Sequence, residues 1–152
     1  MIADCPSAAG KTEFWHDHFG VSVPNLEAAI DWYCRILGFA EERRIDIQAI
    51  PAKIAILRNG NLRIELFEAD GARQPGEERS EPNADLLTFG NKHVSFAVAD
   101  VTALAFELSQ RGADIVWMKR FSFGSNMFIR DNAGNLIEFV ERSKPGAAPT
   151  WL

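Results

Sequence analysis

The chain is written twice. Asp17-His18-Phe19-Gly20-Val21-Ser22-Val23 leads through a helical stretch to Ile64-Glu65-Leu66-Phe67-Glu68, and Lys92-His93-Val94-Ser95-Phe96-Ala97-Val98 leads through another to Ile137-Glu138-Phe139-Val140-Glu141. Histidine and glutamate stand 47 residues apart in the first block and 45 in the second, so the histidines repeat at 75 residues and the glutamates at 73. Even the approach repeats, as Gly60-Asn61-Leu62 and Gly134-Asn135-Leu136. A period of this kind marks an internal duplication, and the fold has to accommodate two copies of one supersecondary unit.

Each copy reads as strand, helix, strand, strand, strand. In the first, the pattern predicts a strand over 14–23, a helix over 26–37 with Asn25 as N-cap and Gly38 as its stop, and strands over 39–47, 53–58 and 62–68. The second predicts a strand over 93–98, a helix over 101–111 between Asp100 and Gly112, and strands over 114–119, 127–130 and 136–141. The organisation expected is a tail (1–13), a first module (14–69), a connector or lid (70–90) rich in Gly, Pro and charge, a second module (91–142) and a C-terminal arm (143–152). Ala9-Gly10-Lys11-Thr12 resembles the end of a phosphate loop, but Cys5 stands where the opening glycine belongs, and the segment reads as tail.

Composition narrows the function. A chain of 152 residues that is 47% hydrophobic can bury a real core. A net charge of −5 without a Lys/Arg cluster disfavours nucleic acid or an anionic membrane as partner and leaves a small molecule. Two cysteines, Cys5 and Cys34, make no disulfide framework, and no stretch has the length of a membrane span or the apolar core of a signal peptide, so a cytoplasmic location is expected.

His18, Glu65, His93 and Glu138 together have the composition of a divalent-metal site. Two imidazoles and two carboxylates suit Zn, Ni, Co, Mn or ferrous Fe, and the lack of cysteine donors argues against a closed structural zinc site. Taken singly, each has a plainer reading, as a hydrogen-bonded histidine at a strand start or a glutamate on an exposed edge. Four at matching positions favour the metal, because carboxylates in apolar strands need a cation or a proton. Counting by twos from these residues puts His16, Ser22, Arg63, Phe67 and Ser95 on the same side of their strands. Arg63 could grip a substrate carboxylate or phosphate, or be a solvated strand end, and His16 could support a ligand or sit in a frayed start. Trp15, Trp117, Phe121, Phe123 and Phe128 are candidates for the cup lining or, by default, for the core.

The two blocks resemble the vicinal oxygen chelate superfamily, which includes glyoxalase I, methylmalonyl-CoA epimerase, extradiol dioxygenases and the fosfomycin and bleomycin resistance proteins. The resemblance rests on residues 17–26, on Asp31-Trp32-Tyr33 and Leu37-Gly38-Phe39, and on Asp131-Asn132-Ala133-Gly134-Asn135-Leu136-Ile137-Glu138, and it spans roughly residues 14–142. It implies an α+β fold of tandem βαβββ modules whose curved mixed sheets cup one metal, often in a homodimer. The ligand set is similar to that of glyoxalase I, which also has a glutamate at the position of Glu65, while dioxygenases of this type use two histidines and one glutamate. The implied activity is that of a metal-dependent lyase, isomerase or epimerase: one divalent ion polarises two vicinal substrate oxygens and stabilises an enediolate, and Glu138, or else Glu65, moves the proton. An iron dioxygenase and a metal-free antibiotic-binding protein are the alternatives. Bacterial glyoxalase I carries an arginine four residues after its first histidine to anchor glutathione, where this chain has Ser22, and the epimerases carry a glutamine at the position of Glu65.

Overall fold

A computed structural model describes residues 13–142. The tail at 1–12 with Cys5, and the C-terminal arm at 143–152, lie outside the described residues.

Two four-stranded mixed sheets carry the duplication. The first holds β1 (Phe19–Ser22), β2 (Ala40–Ile45), β3 (Ala52–Asn59) and β4 (Leu62–Ala69) in the order β1-β4-β3-β2. The second holds β5 (Val94–Val98), β6 (Asp114–Phe121), β7 (Gly124–Arg130) and β8 (Leu136–Glu141) in the order β5-β8-β7-β6. β1 runs parallel to β4 and β5 to β8; the other pairings are antiparallel. A helix makes each parallel crossover: α1 (Leu26–Leu37) in the first module and, after a short α2 (Pro82–Asp85) in the connector, α3 (Val101–Gln110) in the second.

Local chemistry repeats along with topology. Asn25 Oδ1 accepts from Ala28 N and Asp100 Oδ1 from Ala103 N, both at 2.8 Å, capping the two crossover helices. Gly38 ends α1 at φ 69°, a left-handed conformation open to glycine at little cost. The bulge repeats too: the register skips Glu42 opposite β3 and Val116 opposite β7. β1 starts at Phe19, not at position 14, so Phe14, Trp15 and His16 precede the sheet without regular structure.

The inner faces of both sheets and both crossover helices share one core, with Tyr33, Ile36, Leu66, Leu108, Ile129 and Ile137 almost wholly enclosed. Only one pleat face of each sheet therefore points inward. Across the module boundary, the Tyr33 hydroxyl donates to Asp131 Oδ2 at 2.9 Å. Asp131 is itself 5% exposed and accepts from Ala133 N, Asn135 N and the Asn135 amide, so it organises the turn before β8 and receives α1 in the same stroke. The Arg111 guanidinium adds a bond to Ile36 O at the end of α1.

The connector is folded onto the second module. A 3₁₀ turn (Glu77–Ser80) and α2 surround Asp85, which is 1% exposed and ion-paired to Arg79 at 2.8 Å and Lys92 at 3.4 Å. Arg130 donates to Ser80 O and to Asp114, and pairs with Glu81. Among the described residues no helix is long and apolar enough to cross a membrane.

Burial, with the nearby charge of Asp131 and the bond to it, pushes the Tyr33 hydroxyl well above its ordinary value of 10.0. Its folded form thus keeps a proton that the unfolded chain gives up. The stabilisation is complete below pH 10 and is lost as pH rises towards the folded value. Tyr33→Phe should cost about 1–3 kcal/mol at neutral pH, because Asp131 loses a donor inside the core, and should remove part of the alkaline decline. Urea denaturation at pH 7 and between pH 9 and 11 measures both.

Candidate metal and substrate site

The outward face of each sheet carries one histidine and one glutamate. Phe19 and Val21 pack against the core, so their neighbours His18, Gly20 and Ser22 turn the other way. Glu65 lies beside Gly20 in the parallel register and Glu138 beside Ser95, which puts both carboxylates on that outward face. His18 Nε2 stands 2.9 Å from Glu65 Oε2, and His93 Nε2 stands 3.3 Å from Glu138 Oε2. The histidines border a common cleft of about 640 Å³ between β1 and β5. Among the described residues, no three His, Cys, Asp or Glu side chains gather closely enough to hold an ion, so the four candidates form two separate pairs.

These pairs suit a divalent ion on two counts. With metal–nitrogen and metal–oxygen bonds of about 2.1 Å, neighbouring donors on one ion lie about 3.0–3.4 Å apart for octahedral or tetrahedral angles, close to the 2.9 Å and 3.3 Å found. His18 also faces two acceptors, since its Nδ1 is 2.7 Å from Asp17 Oδ2 while Nε2 faces Glu65. A neutral imidazole has one N–H and can satisfy one of them; a second proton, or a cation at Nε2, satisfies both.

The modules differ around this shared plan. Glu138 is held from three sides: by His93, by Ser95, and by the Asn126 amide, which donates to Oε1 at 2.8 Å. Burial pushes its carboxyl up, but those hydrogen bonds and the charge of His93 outweigh it and leave Glu138 below the ordinary carboxylate value. Glu65 has His18 beside it and a floor of Ile54 and Ile56, 2% and 3% exposed, in the positions that Asn126 and Phe128 take in the second module.

The other predicted residues divide. Ser22, Phe67, Arg63 and Ser95 share the site face, with the Phe67 ring lying over Gly20, where an added Cβ would sit 3.1 Å from it. Arg63 is engaged by Glu42, at 2.8 Å and 3.3 Å. His16 is exposed ahead of β1, so counting along a strand does not place it at the site, and Trp15 is exposed beside it. Phe128 meets the His93 ring edge-on at 4.7 Å and Trp117 at 4.8 Å. Phe121 and Phe123 stack on each other at the β6–β7 hairpin, both exposed.

Sequence reasoning passed over Asn126, Arg43 and the pair Glu68 and Glu141. Asn126 was within reach, two residues before Phe128 on an alternating strand. Arg43 lies across from Ile56 and so joins the Glu65 face only because of the bulge at Glu42. Glu68 Oε2 accepts from Leu26 N at 2.6 Å and Glu141 Oε2 from Val101 N at 3.3 Å, each at the first turn of its crossover helix.

The sequence profile of the Glyoxalase/Bleomycin resistance protein/Dioxygenase superfamily matches residues 15–139. The chain belongs to that superfamily. Among solved structures it is similar to a glyoxalase family protein from Enterococcus faecalis (TM-score 0.69, 21% identity, 84% of this chain and 97% of the other). It is also similar to a glyoxylase/bleomycin resistance protein/dioxygenase domain from Frankia sp. EAN1pec (0.69, 23%, 91% and 98%). A glyoxalase I mutant from Zea mays aligns at TM-score 0.65 and 21% identity, over 84% of this chain and 45% of the other. These likenesses establish the two-module α+β fold. Comparison with curated proteins finds no match.

Replacing Asn126 with Ala should move the Glu138 carboxyl upward, towards its ordinary value of 4.5. Carboxyl-carbon NMR titration of metal-free protein reads this directly. An unchanged Glu138 would mean that Asn126 does not hold the charged form.

Proposed function

We infer that the chain is a divalent-metal-dependent lyase, isomerase or epimerase of the glyoxalase type, moving a proton at a carbon next to a carbonyl. The observation that carries this is the repeated His–Glu pair, at the same register in both modules and at donor spacing. His18, Glu65, His93 and Glu138 would hold one divalent ion per site, which supplies Lewis-acid polarisation of two adjacent substrate oxygens. Four donors on one ion require two pairs to meet: the two of one chain, whose histidines border the cleft, or one from each chain of a homodimer.

The roles of the glutamates follow from their surroundings. Glu138, tied by His93, Ser95 and Asn126, stays as a fixed donor. Glu65 is held through His18 over an aliphatic floor, has fewer bonds to break, and is the carboxylate that takes and returns the substrate proton. This reverses the slight preference for Glu138 drawn from sequence. Asp17 fixes the His18 ring through Nδ1, and Phe67 over Gly20 limits water beside Glu65. A dioxygenase would instead leave Glu65 off the metal, and an antibiotic-binding protein would retain no ion.

Elemental analysis of protein loaded with zinc, nickel, cobalt or ferrous iron should find one ion per site. His18→Ala and His93→Ala should each weaken retention at least about tenfold. Glu65→Gln should abolish solvent-deuterium exchange at the carbon next to the carbonyl of a bound hemithioacetal or 2-substituted acyl thioester, and Glu138→Gln should mainly loosen the ion. No retained ion under any loading overturns the reading, and oxygen consumption with ferrous iron and a catechol would replace it with a dioxygenase.

A further inference from the structure

The outward face of the second module continues beyond the His–Glu pair. Across the strands, Trp117 on β6 is level with Phe128 on β7 and Glu138 on β8, so rings lead from His93 through Phe128 to Trp117. At about 4.8 Å per strand, Trp117 stands about 10 Å from the carboxylate. Along β6, Lys119 and Phe121 follow on the same face, and Phe121 stacks against Phe123. Lys119 Nζ sits 4.5 Å over the Trp117 ring, and among the described residues no carboxylate pairs with it. Most arginines and lysines elsewhere here are matched, as Arg44 is to Glu27 and Lys53 to Glu68.

The first module builds this face differently. Its outer strand presents Arg43 level with Glu65, where the second has Trp117, and Ile45 where the second has Lys119. Arg43 is exposed, and its charge acts on the neighbouring Glu42 carboxylate. In a chain of net charge −5, the second module alone lays its outer-strand cation over an aromatic wall.

We propose that the second module's wall of Phe128, Trp117, Lys119 and Phe121 is a substrate subsite for a flat apolar group with an anionic end, such as an aryl carboxylate. This rests on the site proposed above, since the wall extends from its His–Glu pair. The flat group lies along Trp117 and Phe121. The anion takes the Lys119 ammonium, which gives up its place on the indole for an ion pair. Substrates with a bulky aromatic acyl group are selected over small aliphatic ones such as pyruvate derivatives.

Isothermal titration of the full chain, chelator-treated and zinc-loaded in parallel, tests this with 2-naphthoate, neutral 2-naphthamide and pyruvate. Naphthoate should bind at least about tenfold tighter than either control. Lys119→Gln, a change at an exposed side chain, should bring the acid-to-amide ratio close to one, and Trp117→Leu should weaken both aromatic probes about fivefold with its melting curve as a check on folding. Equal affinity for acid and amide, or a preference that survives Lys119→Gln, overturns the proposal. So does loss of a dimer in Phe121→Ser with probe binding intact, which would make this wall an interface between copies. Discrimination in protein that retains no zinc sinks the metal reading alone; zinc retained without discrimination sinks the subsite alone.

Discussion

Strand parity on β4 and β8 sets most of what this fold can do. In Glu65-Leu66-Phe67-Glu68 and Glu138-Phe139-Val140-Glu141, residues three apart on a strand face opposite ways. The first glutamate of each run turns outward to its histidine, and the second turns inward to the first N–H group of a crossover helix. One short strand therefore presents a site-face carboxylate and anchors the helix that seals the core behind it. A slip of one residue would bury the outward carboxylate and expose the helix anchor, so the two tasks hold each other in register.

The same physics explains what could be read from the chain. Duplication, module order, both N-caps and the four His and Glu positions were legible because they depend on local period and on identical residues recurring at one spacing. The exact start of β1 was not, since the aromatic run from Phe14 imitates a strand although no strand of the described residues pairs with it. Arg43 was hidden by a bulge, a change of phase that leaves no mark in an alternating pattern. The connector looked loose from its glycines and prolines, yet Asp85 buries its carboxylate between Arg79 and Lys92 and folds the segment down. Those partners lie six residues before and seven after it, a spacing that no regular element would advertise.

Duplication has been followed by divergence on the outward faces. The inner faces stay apolar in both copies because they share one core and pay alike for any cavity. Outside, Ile54 and Ile56 answer to Asn126 and Phe128, and Arg43 to Trp117. A symmetric scaffold has thereby acquired two unlike walls: one carboxylate over a greasy floor, the other in a hydrogen-bonded cradle. Two chemically similar glutamates thus sit in unlike surroundings without any change of backbone.

The joint between Tyr33 and Asp131 bears on how the chain reaches this state. Among the described residues every strand pairing is internal to a module, so each half can close its own sheet over fewer than 60 residues, with a modest loss of chain entropy. The buried hydroxyl and its carboxylate lie 98 residues apart and meet only when the halves dock. Docking carries a polar checkpoint: a half that arrives misaligned strands an aspartate in an apolar interior, and that penalty favours separation and another attempt over a trapped, wrongly joined pair.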